Sequence, residues 1–243
     1  MTDATEPITI DFRIPGTWTH PRELVQALPP GCRMTGEALI LEDGTEVEFG
    51  AMEADGQFAE IFCSSCRRPP TDEELERVER YTVNVILSGS GGSLEQAHAM
   101  MRAAAAMVKA GGAGVFIDNS GLAHGGEIWL EMTEEGSSDA ISFAYVAIIG
   151  NASEVWTMGM HALGLREVVM KKADCDAFDI TEVIRYLARG DKPVANGHVL
   201  ADLDGPQFQC IVQDSPSERL RGAMRNPFGR LKLVSVRDIG EIN

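Results

Sequence analysis

The sequence predicts an α+β fold with ferredoxin-like, split βαβ elements, in which mixed and antiparallel sheets carry helices packed on one face. Two observations support this class. Residues 81–121 read as a strand, a glycine-rich turn, a long helix, a glycine stop and a second strand. Apart from a further short strand over 57–62, residues 8–80 follow the order strand, helix, strand, strand, helix, and they lead directly into the strand at 81–87.

The predicted strands of the first half share alternating or apolar runs bounded by turn residues, and they span residues 8–14, 38–41, 45–49, 57–62 and 81–87. Asp43 and Gly44 separate two of these runs and predict a hairpin. Pro21 suits the first turn of a short helix. Thr71 is predicted to cap a further helix, because acidic residues follow it and suit the positive end of a helix dipole.

The long helix after residue 93 is predicted to be the main packing element. Ser93 caps it, and Gln96 completes a capping box. Apolar side chains recur at helical spacing and form its packing face: Leu94, Ala97, Met101, Ala104, Ala105 and Val108. The side chains predicted to face water are Glu95, His98, Arg102 and Lys109. Gly111 and Gly112 supply the positive backbone angle that ends such a helix.

The second half continues with shorter elements. A short helix or turn is predicted over residues 125–133, followed by a loop over 136–139. The predicted strands span residues 141–149, 156–161, 167–170, 198–203, 208–213 and 231–236. Further helices are predicted from Asp179 or Thr181 to Gly190, and over residues 216–224.

The best domain boundary lies at Arg67–Thr71, where arginines and prolines interrupt both the strand and the helix patterns. We therefore predict an N-terminal strand-helix-hairpin region over 1–70 and an α+β core over 71–243. The 243 residues are 44% hydrophobic and 24% charged, which is typical of soluble globular proteins. The first residues lack the pattern of a signal peptide, and no apolar stretch is long enough to span a bilayer. A cytoplasmic protein without a membrane partner is expected.

The charge of the chain is strongly negative and unevenly distributed. A net charge of −16 argues against a nucleic-acid partner, because phosphate binding depends on clustered Lys and Arg. Thirteen acidic residues oppose three basic ones between Glu37 and Glu79, whereas six basic residues oppose two acidic ones over 215–238. Solubility and intramolecular ion pairs explain much of this pattern. The alternative is an acidic face that binds a basic protein.

The glycine turn Ser88–Ser93 suggests a nucleotide-binding hypothesis, because it follows a strand and opens a helix. Gly89, Gly91 and Gly92 would then cradle a phosphate. Asp118, at the end of the next strand, would bind a ribose. However, the third glycine of the dinucleotide fingerprint is absent, and an acidic residue in the first helical turn would repel a phosphate. A tight strand-to-helix turn explains these glycines equally well, and we favour that interpretation.

Cys63 and Cys66 have the spacing of a metal knuckle or a redox pair. A zinc site needs two further ligands, for which only Cys32 and His20 lie nearby in the sequence. A redox motif should start a helix after a strand, but two arginines and two prolines follow this pair. The five cysteines of the chain are expected to be reduced thiols, and we interpret this pair as incidental.

Two histidines and two carboxylates form the most interesting set of candidate site residues. His124 and Glu127 lie within one helical turn of each other, whereas His161 and Glu167 lie in a later strand pair. If the two segments converge, the four side chains could hold a divalent metal or perform acid–base chemistry. The interpretation that we favour is structural: His124 caps a turn, and His161 forms a hydrogen bond in a half-buried strand. No metal or cofactor is expected in that case.

Three runs of the sequence resemble a bacterial domain-of-unknown-function family, the DUF4261-like proteins: GAGVFIDNSGLAHGGEIWLEM, VWTMGMHALGLREVVM and DITEVIRYLARGDKPVANGHVLAD. The family has a Thr-x-Gly-x-x-x-x-Gly-x-x-Glu segment, which is represented here by Thr157, Gly159, Gly164 and Glu167. A helix with Tyr186 and a glycine near a terminal hairpin, Gly197, follow. The resemblance covers residues 81–204, and it implies an α+β protein with no assigned reaction or cofactor.

These features predict a domain that acts by binding rather than by catalysis. Its partner would be another protein, either a copy of itself or a basic protein held by the Glu37–Glu79 face. A metal-assisted or acid–base enzyme and a nucleotide binder are the two alternative hypotheses.

Overall fold

The computed structural model describes residues 7–174, 180–190, 192–202, 205–215 and 220–236. Within these ranges the chain has an α+β fold with seven α-helices and two sheets. The helices are α1 (Pro21–Ala27), α2 (Phe58–Ser65), α3 (Asp72–Glu79), α4 (Leu94–Lys109), α5 (Gly126–Glu135), α6 (Ser138–Tyr145) and α7 (Ile180–Arg189). A one-turn 3-10 helix, Met160–Leu163, follows a strand of the second sheet.

The first sheet is antiparallel throughout. Its strands are β1 (Thr9–Gly16), β2 (Arg33–Met34), β3 (Ala38–Ile40), β4 (Glu46–Glu53), β5 (Val83–Ser90), β6 (Gly114–Ile117) and β7 (Leu122–Gly125). They lie in the order β2-β3-β4-β5-β1-β6-β7. β5 and β6 therefore run in the same direction on either side of β1, and α4 connects them.

The second sheet is mixed, as predicted. Its strands are β8 (Ala147–Gly150), β9 (Glu154–Met158), β10 (Glu167–Lys171), β11 (Val199–Asp202), β12 (Gly205–Gln213) and β13 (Arg230–Ser235). They lie in the order β11-β12-β13-β10-β9-β8. β10 and β13 are parallel, and the other neighbouring pairs are antiparallel.

The ferredoxin-like arrangement predicted for residues 8–87 is not confirmed. β4 pairs with β5, and β1 pairs with β5 and β6 instead of with a strand of the predicted hairpin. The predicted boundary at residue 70 therefore divides a single sheet, in which a strand from the first region lies between two strands from the second. Strand order depends on pairing between residues far apart in sequence, which local alternation does not encode.

Helices cover both faces of the first sheet, which corrects the prediction of helices on one face. We call the face that carries Phe12, Val85 and Leu87 the inner face; it packs against α4 in the main core. The opposite, outer face is covered at its β6–β7 end by α2 and α3. Their side chains form a separate apolar cluster with that end of the sheet: Phe58, Phe62, Val78, Phe116 and Ala123.

α4 is buried around most of its circumference. Its predicted packing face is confirmed, but Ala103 and Ala106 outside that face are buried as well, because α5 and α6 also contact the helix. Exposed side chains on α4 include Glu95, Arg102 and Lys109. His98 departs from the prediction, since it is half-buried and its Nε2 lies 3.0 Å from the Thr133 carbonyl oxygen.

Two predicted strands are wrong because their residues form helices. The first, 57–62, lies in α2, where the Asp55 carboxylate accepts hydrogen bonds from the first backbone N–H groups of the turn at 2.8 Å. The second, 141–149, begins in α6, which starts inside the predicted loop and is capped by Ser137. Only its end is strand β8. A short buried apolar run fits a helix or a strand equally well by periodicity alone.

The remaining predicted elements are present with shifted ends. The hairpin at Asp43-Gly44 and the caps at Thr71 and Ser93 are confirmed. The capping box predicted with Gln96 does not form completely. Gln96 Oε1 accepts from the Ser93 hydroxyl (3.3 Å), whereas a capping box would need it to accept from the Ser93 backbone N–H. Asp179 and residues 203 and 216–219 lie outside the described ranges; of the helix predicted over 216–224, a 3-10 turn at Gly222–Met224 is described.

Candidate functional site

Two of the four candidate acid–base residues, His161 and Glu167, meet in the structure. Both are buried, and His161 Nδ1 lies 3.5 Å from Glu167 Oε1. The Glu167 carboxylate also accepts hydrogen bonds from protein donors: the Thr157 hydroxyl (2.7 Å), the N–H groups of Gly159 (3.2 Å) and Met160 (3.1 Å), and the Asn226 amide (2.9 Å). These donors satisfy the carboxylate from inside the protein, as expected of a structural buried acid.

The distal nitrogen of His161 also faces protein groups. Nε2 lies 2.8 Å from the Ala223 carbonyl oxygen, which places a proton on that nitrogen. The Asn119 amide nitrogen lies 3.3 Å from His161 Nε2. The ring borders a cavity of about 240 Å³ that Asp11 and Arg225 also line, but only 2% of His161 is exposed. His161 lies buried in the 3-10 turn, which corrects the prediction of a half-buried strand, because the strand ends at Met158. In this arrangement the ring holds the turn against residues 222–224.

The segment from Thr157 to Glu167 requires glycine at positions 159 and 164. Both have a left-handed backbone (φ +102° and +77°), which favours glycine. A Cβ on Gly164 would lie 2.3 Å from the Gly92 carbonyl oxygen, and Gly92 N–H in turn donates to the Ala162 carbonyl (2.9 Å). The turn is therefore a tight joint between the second sheet and the start of α4.

His124 and Glu127 do not join this pair. His124 is 1% exposed, and its Nε2 lies 2.9 Å from the Ala144 carbonyl oxygen at the end of α6. Burial is the main cause that lowers the pKa of His124 to about 4, so the ring is neutral near pH 7. Glu127 is exposed. His124 thus holds a helix end instead of capping a turn.

The proposed metal ligands are not assembled in the part of the chain that the structure describes, where no group of three or more His, Cys, Asp or Glu side chains could hold a metal ion. Cys63 and Cys66 are free, half-buried thiols at the C-terminal end of α2. Burial raises the pKa of Cys63 and raises that of Cys66 to about 12. A reactive thiol has a lowered pKa, so burial shifts both thiols in the direction opposite to that of a reactive pair.

Glu74 is an important side chain that the sequence analysis did not single out. It is 4% exposed, and its two oxygens accept hydrogen bonds from Thr71 N and Glu127 N, both at 2.8 Å. One carboxylate thus caps α3 and the N-terminus of α5. A Cβ on Gly125 would lie 2.3 Å from Glu74 Oε2, which explains the glycine after His124. The signal was present as a Thr-x-x-Glu capping box.

The amides of the glycine turn already have partners. Gly91 N–H donates to the Ile8 carbonyl (2.8 Å), and Gly92 N–H donates to the Ala162 carbonyl (2.9 Å). A Cβ on Gly89 would lie 2.4 Å from a methionine sulfur on α4. A phosphate at this helix N-terminus would have to displace both backbone bonds. The tight-turn interpretation accounts for all three glycines.

Asp118 lies at the end of β6 on the outer face of the first sheet. It pairs with Arg13, whose Nε lies 2.9 Å from Asp118 Oδ1. Burial raises the pKa of Asp118, while the hydrogen bond and charge of Arg13 oppose that shift. The side chain is therefore committed to an ion pair within the sheet.

The outer face is open along β4, β5 and β1. Glu48, Ser88 and Asp11 are neighbours in one row across these three strands. Ile86 and Arg13 are neighbours in the next row. Each of these five side chains is at least partly exposed, which makes this part of the face accessible from solvent.

The acidic residues of this region are mostly unpaired at the surface. Of the thirteen between residues 37 and 79, all except Glu74 are exposed. In the described ranges, Glu46 and Glu48, the two glutamates on the outer face of β4, form no ion pair. Arg33 of β2 is the basic residue that shares a row with Glu46, through β3. The open part of the outer face therefore carries excess negative charge, and we call it the acidic face.

No family model, curated protein or solved structure matches the chain. The resemblance to the DUF4261-like family therefore stays a prediction. Among the described residues, no helix combines the length and the hydropathy needed to cross a membrane.

Proposed function

We propose that this protein is a non-catalytic protein-binding domain whose acidic face binds a basic segment of another protein. One observation carries the proposal: the part of the first sheet around Glu48, Ser88 and Asp11 is open to solvent and lacks enough cations to balance it. A domain with a net charge of −16 would also attract a basic partner over a distance, which raises its association rate.

Apolar side chains on the same face would add short-range contact. Met52 is 37% exposed, and Ile86 is half-buried beside Arg13. A bound extended segment whose basic and apolar residues lie at every second position, and so point to the same side, would place its cations near Glu46 and Glu48 and its apolar side chains near Ile86. Charge provides recognition and orientation in such a contact, while buried apolar area contributes affinity.

The candidate acid–base residues support binding over catalysis. The Glu167 carboxylate is satisfied by protein donors, and the distal nitrogen of His161 faces the Ala223 carbonyl. A general base needs a free lone pair within reach of a substrate proton.

We also propose that the first sheet has ferredoxin-like character, and the β5–α4–β6 crossover around β1 supports this proposal.

The test measures binding of a fluorescent peptide with the repeat Lys-Ser-Leu-Ser, which presents lysine and leucine on one side, to the full chain by fluorescence anisotropy at low and high salt. Glu46→Gln/Glu48→Gln should weaken binding at least about fivefold. The matched control is Glu131→Gln/Glu134→Gln, which removes two exposed charges from α5 and should change Kd by less than about twofold.

Equal weakening by the two double variants would show that only net charge matters, and it would overturn the assignment to this face. Absence of peptide binding by the wild-type protein at low salt would overturn the proposal altogether. Both variants need thermal unfolding profiles like that of the wild type, which is expected because all four side chains are exposed.

A further inference from the structure

Strand β8 is an open edge of the second sheet. It pairs with β9 on one side, and no other described strand lies beside it. Asn151 N–H donates to the Glu154 carbonyl (2.9 Å), which fixes the alternation of bonded and non-bonded pairs along the hairpin. Counting back from that pair, the N–H and C=O groups of Ile148 and Gly150 point away from β9. These groups can pair with another strand.

The chemistry of this edge lacks the usual protection against such pairing. Natural edge strands are blunted by charged residues, prolines, bulges or a covering element. No charged residue and no proline lies between Asp139 and Glu154, and Ile148 is 40% exposed. The edges of the first sheet differ: β7 is buried, and β2 is two residues long and contains Arg33.

We infer that β8 pairs with β8 of a second copy of this chain in an antiparallel, two-fold symmetric dimer. The register that uses the outward N–H and C=O groups of both Ile148 and Gly150 in each copy places Ile149 opposite Ile149 of the other copy. Ile148 and Gly150 then exchange hydrogen bonds with Gly150 and Ile148 of that copy. Such a contact is self-complementary and closes after two subunits.

A second copy fits this edge better than an unrelated strand for two reasons. Two molecules with a net charge of −16 repel each other elsewhere, but the edge itself is uncharged, so like charges do not meet in the contact. The pairing also continues an existing apolar row. Ile149, Trp156 and Val169 are neighbours across β8, β9 and β10, so the two rows would join at the symmetry axis.

This dimer is independent of the acidic face, because β8 belongs to the other sheet. The two proposals can therefore fail separately. Loss of dimerisation would leave binding of the basic peptide intact, and loss of peptide binding would leave the mass in solution unchanged.

The test is the molar mass of the full chain by light scattering after size exclusion, over a range of concentrations. The wild type should have the mass of a dimer, and Ile148→Lys should shift it to a monomer, because a lysine on an edge strand blocks pairing. Val199→Lys is the matched control. It places the same charge on a 51% exposed residue of β11, at the other edge, and should leave the dimer intact.

A second variant tests the register. Ile149→Cys should form a disulfide between copies on mild oxidation, because cross-strand neighbours have suitable Cβ distances, whereas Val199→Cys should not. A monomeric wild type, or dissociation by Val199→Lys and not by Ile148→Lys, would overturn the proposal. So would disulfide formation by Val199→Cys alone.

Discussion

Buried polar side chains in this protein are held mainly by backbone groups. Glu167 accepts from two amides of a 3-10 turn, Glu74 accepts from two helix N-termini, and His124 faces a helix C-terminal carbonyl. Each of these side chains forms hydrogen bonds with buried backbone groups, and a buried group left without a partner would cost about 1–3 kcal/mol of folding free energy. Asn84 is an exception, because it is fully buried and neither of its amide atoms has a partner among the described residues.

We expect Glu167→Ala to lower the free energy of unfolding by about 3 kcal/mol, because it leaves several buried donors without an acceptor. Urea unfolding measures this change. Thr157→Val removes one of those donors and also the acceptor of the Val168 N–H (2.8 Å), and it should cost about 2 kcal/mol. A loss below about 0.5 kcal/mol for Glu167→Ala would mean that the carboxylate does not hold the turn.

The buried His124 should make stability fall in acid. Its folded pKa of about 4 lies below the ordinary value of 6.5, so the unfolded chain takes up a proton first as the pH falls. The free energy of unfolding keeps its full value above pH 6.5. It falls by about 3 kcal/mol in total between about pH 6.5 and 4, because the buried ring resists protonation. Urea unfolding across this range should show a smaller pH dependence for His124→Gln. An NMR titration with a His124 pKa near 6.5 would contradict this assignment.

At the scale of elements, helix termini organise the packing. The Glu74 carboxylate links the start of α3 to the start of α5. Arg67 caps the C-terminal end of α6, where its guanidinium donates hydrogen bonds to the carbonyls of Phe143 and Val146. An anion at two helix N-termini and a cation at a C-terminus both complement the helix dipoles. The helices are thus positioned by a few charged side chains in addition to apolar contact.

We expect Glu74→Ala to lower the free energy of unfolding by about 2–3 kcal/mol, because two helix N-termini lose their cap. Glu73→Ala is the matched control in the same turn. It removes an exposed ion pair with Arg77 and should cost less than about 0.5 kcal/mol. Thermal unfolding of both variants measures the difference, and equal losses would show that Glu74 acts only through helix propensity or net charge.

At the scale of the whole molecule, the 3-10 turn Met160–Leu163 joins the two sheets. The turn is bound to the second sheet through Glu167 and to the glycine turn at the end of β5 through the bond from Gly92 to Ala162. Residues of both sheets also belong to one apolar core. The two sheets should therefore unfold as one cooperative unit.

Gly164→Ala tests this joint. Its Cβ would lie 2.3 Å from the Gly92 carbonyl oxygen at a φ of +77°, so we expect a loss above about 2 kcal/mol. Gly190→Ala is the control, since Gly190 has a φ of +68° and open space around it. It should lose only about 1 kcal/mol from backbone strain. Urea unfolding followed by tryptophan fluorescence and circular dichroism should give coincident transitions, and separate transitions would contradict a shared unit.

Local signals predicted much of the secondary structure. The caps at Thr71 and Ser93 and the hairpin at Asp43-Gly44 depend on residues three or four positions apart, so a single stretch contains all the information. The runs 57–62 and 141–149 were misassigned, because a short apolar run is compatible with either a helix or a strand until its surroundings are known.

The candidate site shows the same division. Local patterns predicted that the glycines lie in tight turns and that residues 37–79 carry excess negative charge. They singled out His161 and Glu167 as candidates but did not fix the distance between them. Long-range contacts place His161 in a 3-10 turn beside Glu167 and bury His124 elsewhere. They also make Glu74 the cap of two helices and put Glu46 and Glu48 on an open sheet face. The physical reason is that burial, strand order and the partners of a charge arise from contacts between distant segments, which no local pattern encodes.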